Sequence, residues 1–137
     1  MTRSEIYRDV EEHFGLVPSF IKGLPDDTIE HDWELYKALE MQDGKLGLKQ
    51  KNLIGLGVAG AIKCRYCVLY HTEMAKMNGA TDDEIREALR FAMDTAGWST
   101  FINGMQVDYD QFKDELVKIK DYVSKKTVKV EKERIAV

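Results

Sequence analysis

Proline, cysteine and long apolar runs are all scarce in this chain of 137 residues. The two prolines, Pro18 and Pro25, fall in one short stretch, so nothing of that kind interrupts helices elsewhere. Two cysteines are too few for a disulfide-stapled scaffold, and a chain of this length can bury a core without one. The longest apolar run, Leu53 to Ile62, has about half of the ~20 residues that a membrane span needs. Basic residues do not dominate: 20 Lys and Arg stand against 24 Asp and Glu, net −4, which argues against a nucleic-acid partner. The start, Met1-Thr2-Arg3-Ser4-Glu5, turns polar at once and predicts no secretory leader. A cytoplasmic protein with no membrane partner is the expectation. In that compartment a pair of nearby cysteines reads as catalytic or metal-binding rather than as a staple.

What is present is helical pattern nearly throughout. Thr2-Arg3-Ser4-Glu5 has the form of a capping box, Ile6, Val10 and Phe14 recur at helical spacing, and Gly15 stands where a C-terminal cap belongs. The stretch from Leu16 to Pro25 predicts at most a short helical turn. A second long helix is expected from Asp26 or Asp27 to Met41, with Ile29, Trp33, Leu35, Tyr36 and Leu39 as its apolar positions. After the break at Gln42-Asp43-Gly44-Lys45, the run Leu53 to Ile62 is apolar on all sides and predicts a central buried helix. A helix holding the cysteines should stop at Asn78-Gly79. Thr81-Asp82-Asp83-Glu84 is a second capping box, opening a helix that is expected to break near Gly97. A last helix is expected from Val107 to Val123, striped by Phe112, Leu116, Ile119 and Tyr122. The predicted class is thus all-α, one domain over 1–123 followed by a basic tail over 124–137. Lys125 to Arg134 holds five basic and two acidic residues. This reads as a solvated end, or as an arm that packs on a neighbouring subunit through Val128 and Val130.

Chemistry concentrates in Cys64-Arg65-Tyr66-Cys67-Val68-Leu69-Tyr70-His71. On a helix, ~100° per residue brings Cys64, Cys67 and His71 to one face. Two thiols that close can form a disulfide, and an imidazole one turn beyond Cys67 can take its proton. A cysteine near a helix start, with Lys63 and Arg65 beside it, is also placed to lose its proton readily. Redox dithiol chemistry is the leading reading. The alternatives are a zinc or ligand site using Cys64, Cys67 and His71, whose fourth ligand would have to be His13, His31, a carboxylate or water, and two buried thiols acting only as small apolar groups.

Leu46-Gly47-Leu48-Lys49-Gln50-Lys51-Asn52-Leu53-Ile54-Gly55, then CxxCxxxH over Cys64, Cys67 and His71, then Gly79-Ala80-Thr81-Asp82-Asp83-Glu84-Ile85 resembles the carboxymuconolactone decarboxylase family. Within it, the chain is similar to the cysteine-bearing branch typified by alkyl hydroperoxide reductase D (AhpD). The resemblance covers roughly residues 10 to 100. It implies an all-α AhpD-like fold of about six helices, assembled as homo-oligomers, either trimers or hexamers. It also implies a thiol-dependent peroxidase or disulfide reductase acting on a peroxide or disulfide. Electrons would come from a dithiol donor such as a lipoyl protein or a thioredoxin-like protein, with no metal or flavin cofactor. In that assignment Cys67 attacks, Cys64 resolves and His71 belongs to the proton relay. The relay's usual glutamate, twelve residues before the first cysteine, is Asn52 here. Asparagine can orient a water or a thiol but cannot accept and return a proton. Another carboxylate (Glu40, Asp43 or Glu73) or a water then completes the relay, or the peroxidase is weaker. The decarboxylase that names the family does not depend on a CxxC; it stays an alternative on family grounds alone.

Other signals read as structural. Gly55-Leu56-Gly57-Val58-Ala59-Gly60 matches G-x-G-x-x-G, but no strand precedes it, and small residues at this spacing let two helices approach. His13 and His31 are expected at the surface or half-buried, and Met74, Met77, Trp33 and Trp98 in the core. Tyr66 and Tyr70 are expected to pack as an aromatic pair.

Overall fold

The computed structural model describes residues 1–135, and side chains as far as residue 127. Among the described residues there are seven helices and no strand. The first, α1 (Arg3–Phe14), starts where Thr2 and Glu5 cap each other and ends at Gly15, whose φ of 73° is left-handed. The proline-bearing stretch holds only one helical turn, α2 (Ser19–Lys22). Next comes α3 (Ile29–Glu40), preceded by a turn in which the Ile29 N–H reaches the Pro25 carbonyl. Ile6, Val10, Ile21, Ile29 and Trp33 form a first core cluster. Asp9 ties α1 to α3, accepting the Trp33 indole N–H and the Lys37 ammonium, both at 2.7 Å.

The second cluster belongs to α4 (Leu48–Ala61), α5 (Arg65–Met77) and the start of α6 (Asp82–Gly104). It contains Leu56, Ala75, Ala80 and Ile85, with Leu53 and Val68 against it. Asp43 accepts the Leu48 N–H at the head of α4. Thr81 and Glu84 cap each other at the head of α6, and Lys49 pairs with Glu84 at 2.7 Å. One face of α4 is buried through Asn52, Leu56 and Ala59. Its other face leaves Ile54 and Val58 exposed, because its apolar character exceeds what this single chain can cover.

By compactness the chain divides into Met1–Ala92 and Met93–Val137. The second unit holds the later part of α6 and α7 (Tyr109–Ile135), whose first turn is capped by Asp108 on the Gln111 N–H. Gly97 does not end α6. A lone helix glycine costs about 1 kcal/mol against alanine, and no proline or polar cluster follows to stop the chain. Trp98 is not core but 58% exposed, edge-on to Phe101. The last helix also continues past Val123. The side chains of Val128 and Val130, expected in a docking arm, lie outside the described residues. No helix among the described residues is long and apolar enough to cross a membrane.

Candidate functional site

The link between α4 and α5 is short and strained. Lys63 adopts φ 59°, a left-handed conformation unusual for a residue with a Cβ, and reverses the chain. The Cys64 N–H closes on the Ala59 carbonyl at 3.0 Å. Cys64 then takes extended angles (φ −86°, ψ 97°) as the N-cap of α5, and its Sγ accepts the Cys67 N–H at 3.3 Å. A sulfur at an N-cap receives an otherwise unpaired backbone donor and the positive end of the helix. Both thiols are free and partly buried. The Cys67 thiol donates to Cys64 and, with the Cys67 backbone N–H, lowers the pKa of Cys64. The same sharing, together with burial, raises the pKa of Cys67. Of the two sulfurs, Cys64 is therefore the one set to be the thiolate.

That asymmetry has a direct readout. In reduced protein alkylated over a pH series, Cys64 is expected to be modified first, and at lower pH than a free thiol of pKa ~8.5 requires. Peptide mapping distinguishes the two positions, and faster labelling of Cys67 near neutral pH would contradict the asymmetry.

His71 lies one turn beyond Cys67 on α5. The Asn52 amide N–H donates to the Leu48 carbonyl at 2.9 Å, so its oxygen faces His71 Nδ1, also at 2.9 Å. Nδ1 must then carry the proton, which leaves Nε2 of the neutral ring as the acceptor. Asn52 is 1% exposed and is the buried polar residue of α4. Gly55 makes room for the ring. A Cβ there would sit 2.6 Å from both Cε1 and Nε2 of His71.

An aromatic chain supports the imidazole from the other side. The Tyr70 ring meets it edge-on at 5.2 Å, the Tyr70 and Tyr36 phenols are hydrogen-bonded to each other, and Tyr36 stacks on Trp33 at 5.6 Å. Burial raises the pKa of both phenols, and the Glu40 charge adds to it, so neither ionises near neutral pH. The expected Tyr66–Tyr70 pair is not formed. Tyr66 is 73% exposed under the Arg65 guanidinium, because Tyr70 turns toward Tyr36. Of the carboxylates expected to replace a relay glutamate, Asp43 caps α4, Glu73 is exposed and Glu40 acts on the phenols. Met77 lies out at 77% exposure, and His31 is exposed as expected.

The structure thus brings Cys64 to Cys67 and His71 to Asn52. Among the described residues no three His, Cys, Asp or Glu side chains converge as metal ligands. Sequence reasoning missed Gly55, Tyr36 and Tyr70. A groove of ≈ 460 Å³ lies alongside, lined by Gly60, Lys63, Arg65, Val68, Leu69 and Thr72.

The model of the carboxymuconolactone decarboxylase family matches residues 28–108, more than half of the chain and the whole of this site. The chain belongs to that family. Its fold is similar to the crystal structure of the alkylhydroperoxidase AhpD core from Rhodospirillum rubrum. The TM-score is 0.69 at 25% sequence identity, covering 79% of this chain and 82% of that one. The chain is also 38% identical over 47 residues to a protein of Paracoccus denitrificans described as uncharacterized protein 4 in cox locus. That match covers 34% of this chain and 42% of the relative, so the chain spans less than half of the relative's length. The family and the AhpD-like all-α fold are therefore established together.

Proposed function

We propose that this member of the carboxymuconolactone decarboxylase family is a CxxC-dependent oxidoreductase, a thiol peroxidase or disulfide reductase. The observation that carries the reading is the Cys64 sulfur at the N-cap of α5, bonded to the Cys67 N–H at 3.3 Å. In the cycle, one thiolate attacks the oxidised substrate and the second thiol displaces the product, leaving a Cys64–Cys67 disulfide. His71, held in one tautomer by Asn52, accepts the proton released by the second thiol. An external dithiol, lipoyl-borne or thioredoxin-like, then reduces the disulfide.

The protein is further read as a cytoplasmic homo-oligomer, a trimer or hexamer. The exposed apolar side chains of α4, α6 and α7, among them Ile54, Val58, Phe91, Phe101 and Ile119, support association, since a lone soluble chain rarely leaves that much apolar surface wet.

The test is intact mass after oxidation and alkylation of reduced, chelator-treated protein. Exposure to hydrogen peroxide or to a small disulfide should remove two hydrogens and abolish alkylation of both cysteines. If both thiols stay reduced and alkylate fully after either oxidant, the redox reading fails.

A further inference from the structure

The last helix, α7, carries a stripe that differs from those of the helices before it. From its first residue, apolar side chains recur three and four places apart: Tyr109, Phe112, Leu116, Ile119 and Val123. These are the a and d places of a heptad repeat, the seam along which helices wind around one another. In sequence, Lys126 and Val130 take the next d and a places, so the apolar seam is unbroken as far as Val123. Tyr109, Leu116, Ile119 and Val123 are between 49% and 72% exposed, and Phe112 is half-buried. The later part of α6, which belongs to the same compact unit, therefore leaves the seam open. A helix so bare gains little from packing, and packing of an amphipathic face is what stabilises most helices.

The charges beside the seam select what covers it. Lys113 and Lys120 hold the e places, and Asp108 and Glu115 hold the g places. When two such helices run parallel and in register, each g residue meets the e residue five places further along its neighbour. Glu115 then meets Lys120, and Asp108 meets Lys113. An antiparallel pair would set g beside g and e beside e, carboxylate against carboxylate and lysine against lysine. The remaining g and e residues, Tyr122 and Thr127, are neutral in either arrangement.

These groups are free to change partners. Lys120 has no carboxylate partner among the described residues. Lys113 pairs with Asp110, and Glu115 accepts the Gln111 amide, each within one exposed turn, where such contacts are worth little. Asp108 caps the helix through one oxygen and keeps the other. A lipid surface fits less well. From Tyr109 to Thr127 five lysines stand against four carboxylates, whereas a helix lying on anionic lipid has a strongly basic polar face.

We propose that α7 forms a parallel, in-register coiled coil with α7 of other copies of this chain. This deepens the homo-oligomer reading above by naming the surface and its polarity, and it rests on none of the dithiol chemistry. The seam matches itself, since one helix supplies both the acidic and the basic flank.

The test uses full-length protein carrying Cys64→Ser and Cys67→Ser, so that an added cysteine is the only thiol; serine is a good N-cap and keeps α5. Phe112→Cys and Ile119→Cys each place a thiol at a d position, and Asp114→Cys places one on the opposite side of the helix. Under copper–phenanthroline oxidation, both seam variants are expected to form interchain disulfides at least about tenfold faster than Asp114→Cys, because the seam holds like positions within disulfide reach. Adding Glu115→Lys should slow the seam crosslinks about threefold or more, and adding Lys120→Glu to that chain should restore them. Both changes lie on the exposed surface and leave the core intact. Equal rates at the three positions overturn the proposal. So does crosslinking at only one seam position, which is what an antiparallel pair gives, or a charge-swapped chain that does not recover. Wild type that sediments as an oligomer while the seam fails to crosslink overturns the coiled coil and leaves the homo-oligomer reading standing. A wild type that sediments as a monomer at every concentration removes both.

Discussion

Gly55→Ala is expected to slow formation of the Cys64–Cys67 disulfide by about 100-fold or more while leaving the chain folded, because the loss falls on His71 and general-base assistance is worth ~10²–10⁴ in rate. The added Cβ would meet Cε1 and Nε2 of the imidazole at 2.6 Å and Nδ1 at 2.8 Å. The ring cannot swing aside freely, since Asn52 holds Nδ1 and the Tyr70 ring stands against it. Stability changes less than rate. Overpacking costs about 1–3 kcal/mol, and alanine returns up to about 1 kcal/mol of helix propensity. Gly60→Ala is the control, because its Cβ would find only Leu89 Cδ2 at 3.7 Å, an ordinary contact, so the rate should hold and the melting point should hold or rise with the gain in helix propensity. Thermal melts and stopped-flow disulfide formation measure the two effects separately. A Gly55→Ala protein as fast as wild type would mean that His71 has no part in the chemistry.

The helices were legible because their punctuation is local. Thr2 with Glu5 and Thr81 with Glu84 are capping boxes that read the same way in sequence and in space, and Gly15 and Gly79 take the left-handed angles their positions announce. Gly97 misled because a glycine stops a helix only where the chain must turn, and nothing after it makes α6 turn. The cysteines, His71 and Asn52 stood out by residue type and spacing. What they do to one another did not. That the Asn52 oxygen fixes the His71 tautomer depends on which end of the amide meets Leu48, and that is a property of packing. Gly55 was partly within reach. It and His71 stand equally far along the chain from Lys63, so a helical hairpin turning there sets them opposite each other. Tyr36 and Tyr70 were beyond reach, because their pairing joins α3 to α5 across the whole of α4 and leaves no periodic mark. Trp98 and Met77 were misread for a related reason. Apolar spacing marks a face that needs covering, without saying whether this chain or another covers it.

Trp33→Ala is expected to cost about 3–5 kcal/mol, the range for emptying a fully buried large aromatic site. That is a large part of the ~5–15 kcal/mol that holds an ordinary domain. Trp33 is 0% exposed in the first core cluster, with Phe14 edge-on and Tyr36 stacked. Its indole N–H also satisfies Asp9, which keeps Lys37 and the more distant His13 imidazole once the ring is gone. Trp33→Phe separates these contributions, since it retains much of the ring contact and loses the donor. About 1–3 kcal/mol is expected for it, the cost of one hydrogen bond to a charged group and the smaller ring. Urea titrations of the three proteins at equal concentration test the order. A loss under about 1 kcal/mol for Trp33→Ala would show that the cluster around it collapses without penalty. The consequence reaches the thiols. Tyr36 is held between Trp33 and the Tyr70 phenol, and Tyr70 braces His71. Emptying the Trp33 site should therefore slow disulfide formation even in solutions where the protein is still folded. A fold whose N-terminal core braces the imidazole through two phenols ties the precision of its dithiol site to the packing of one tryptophan.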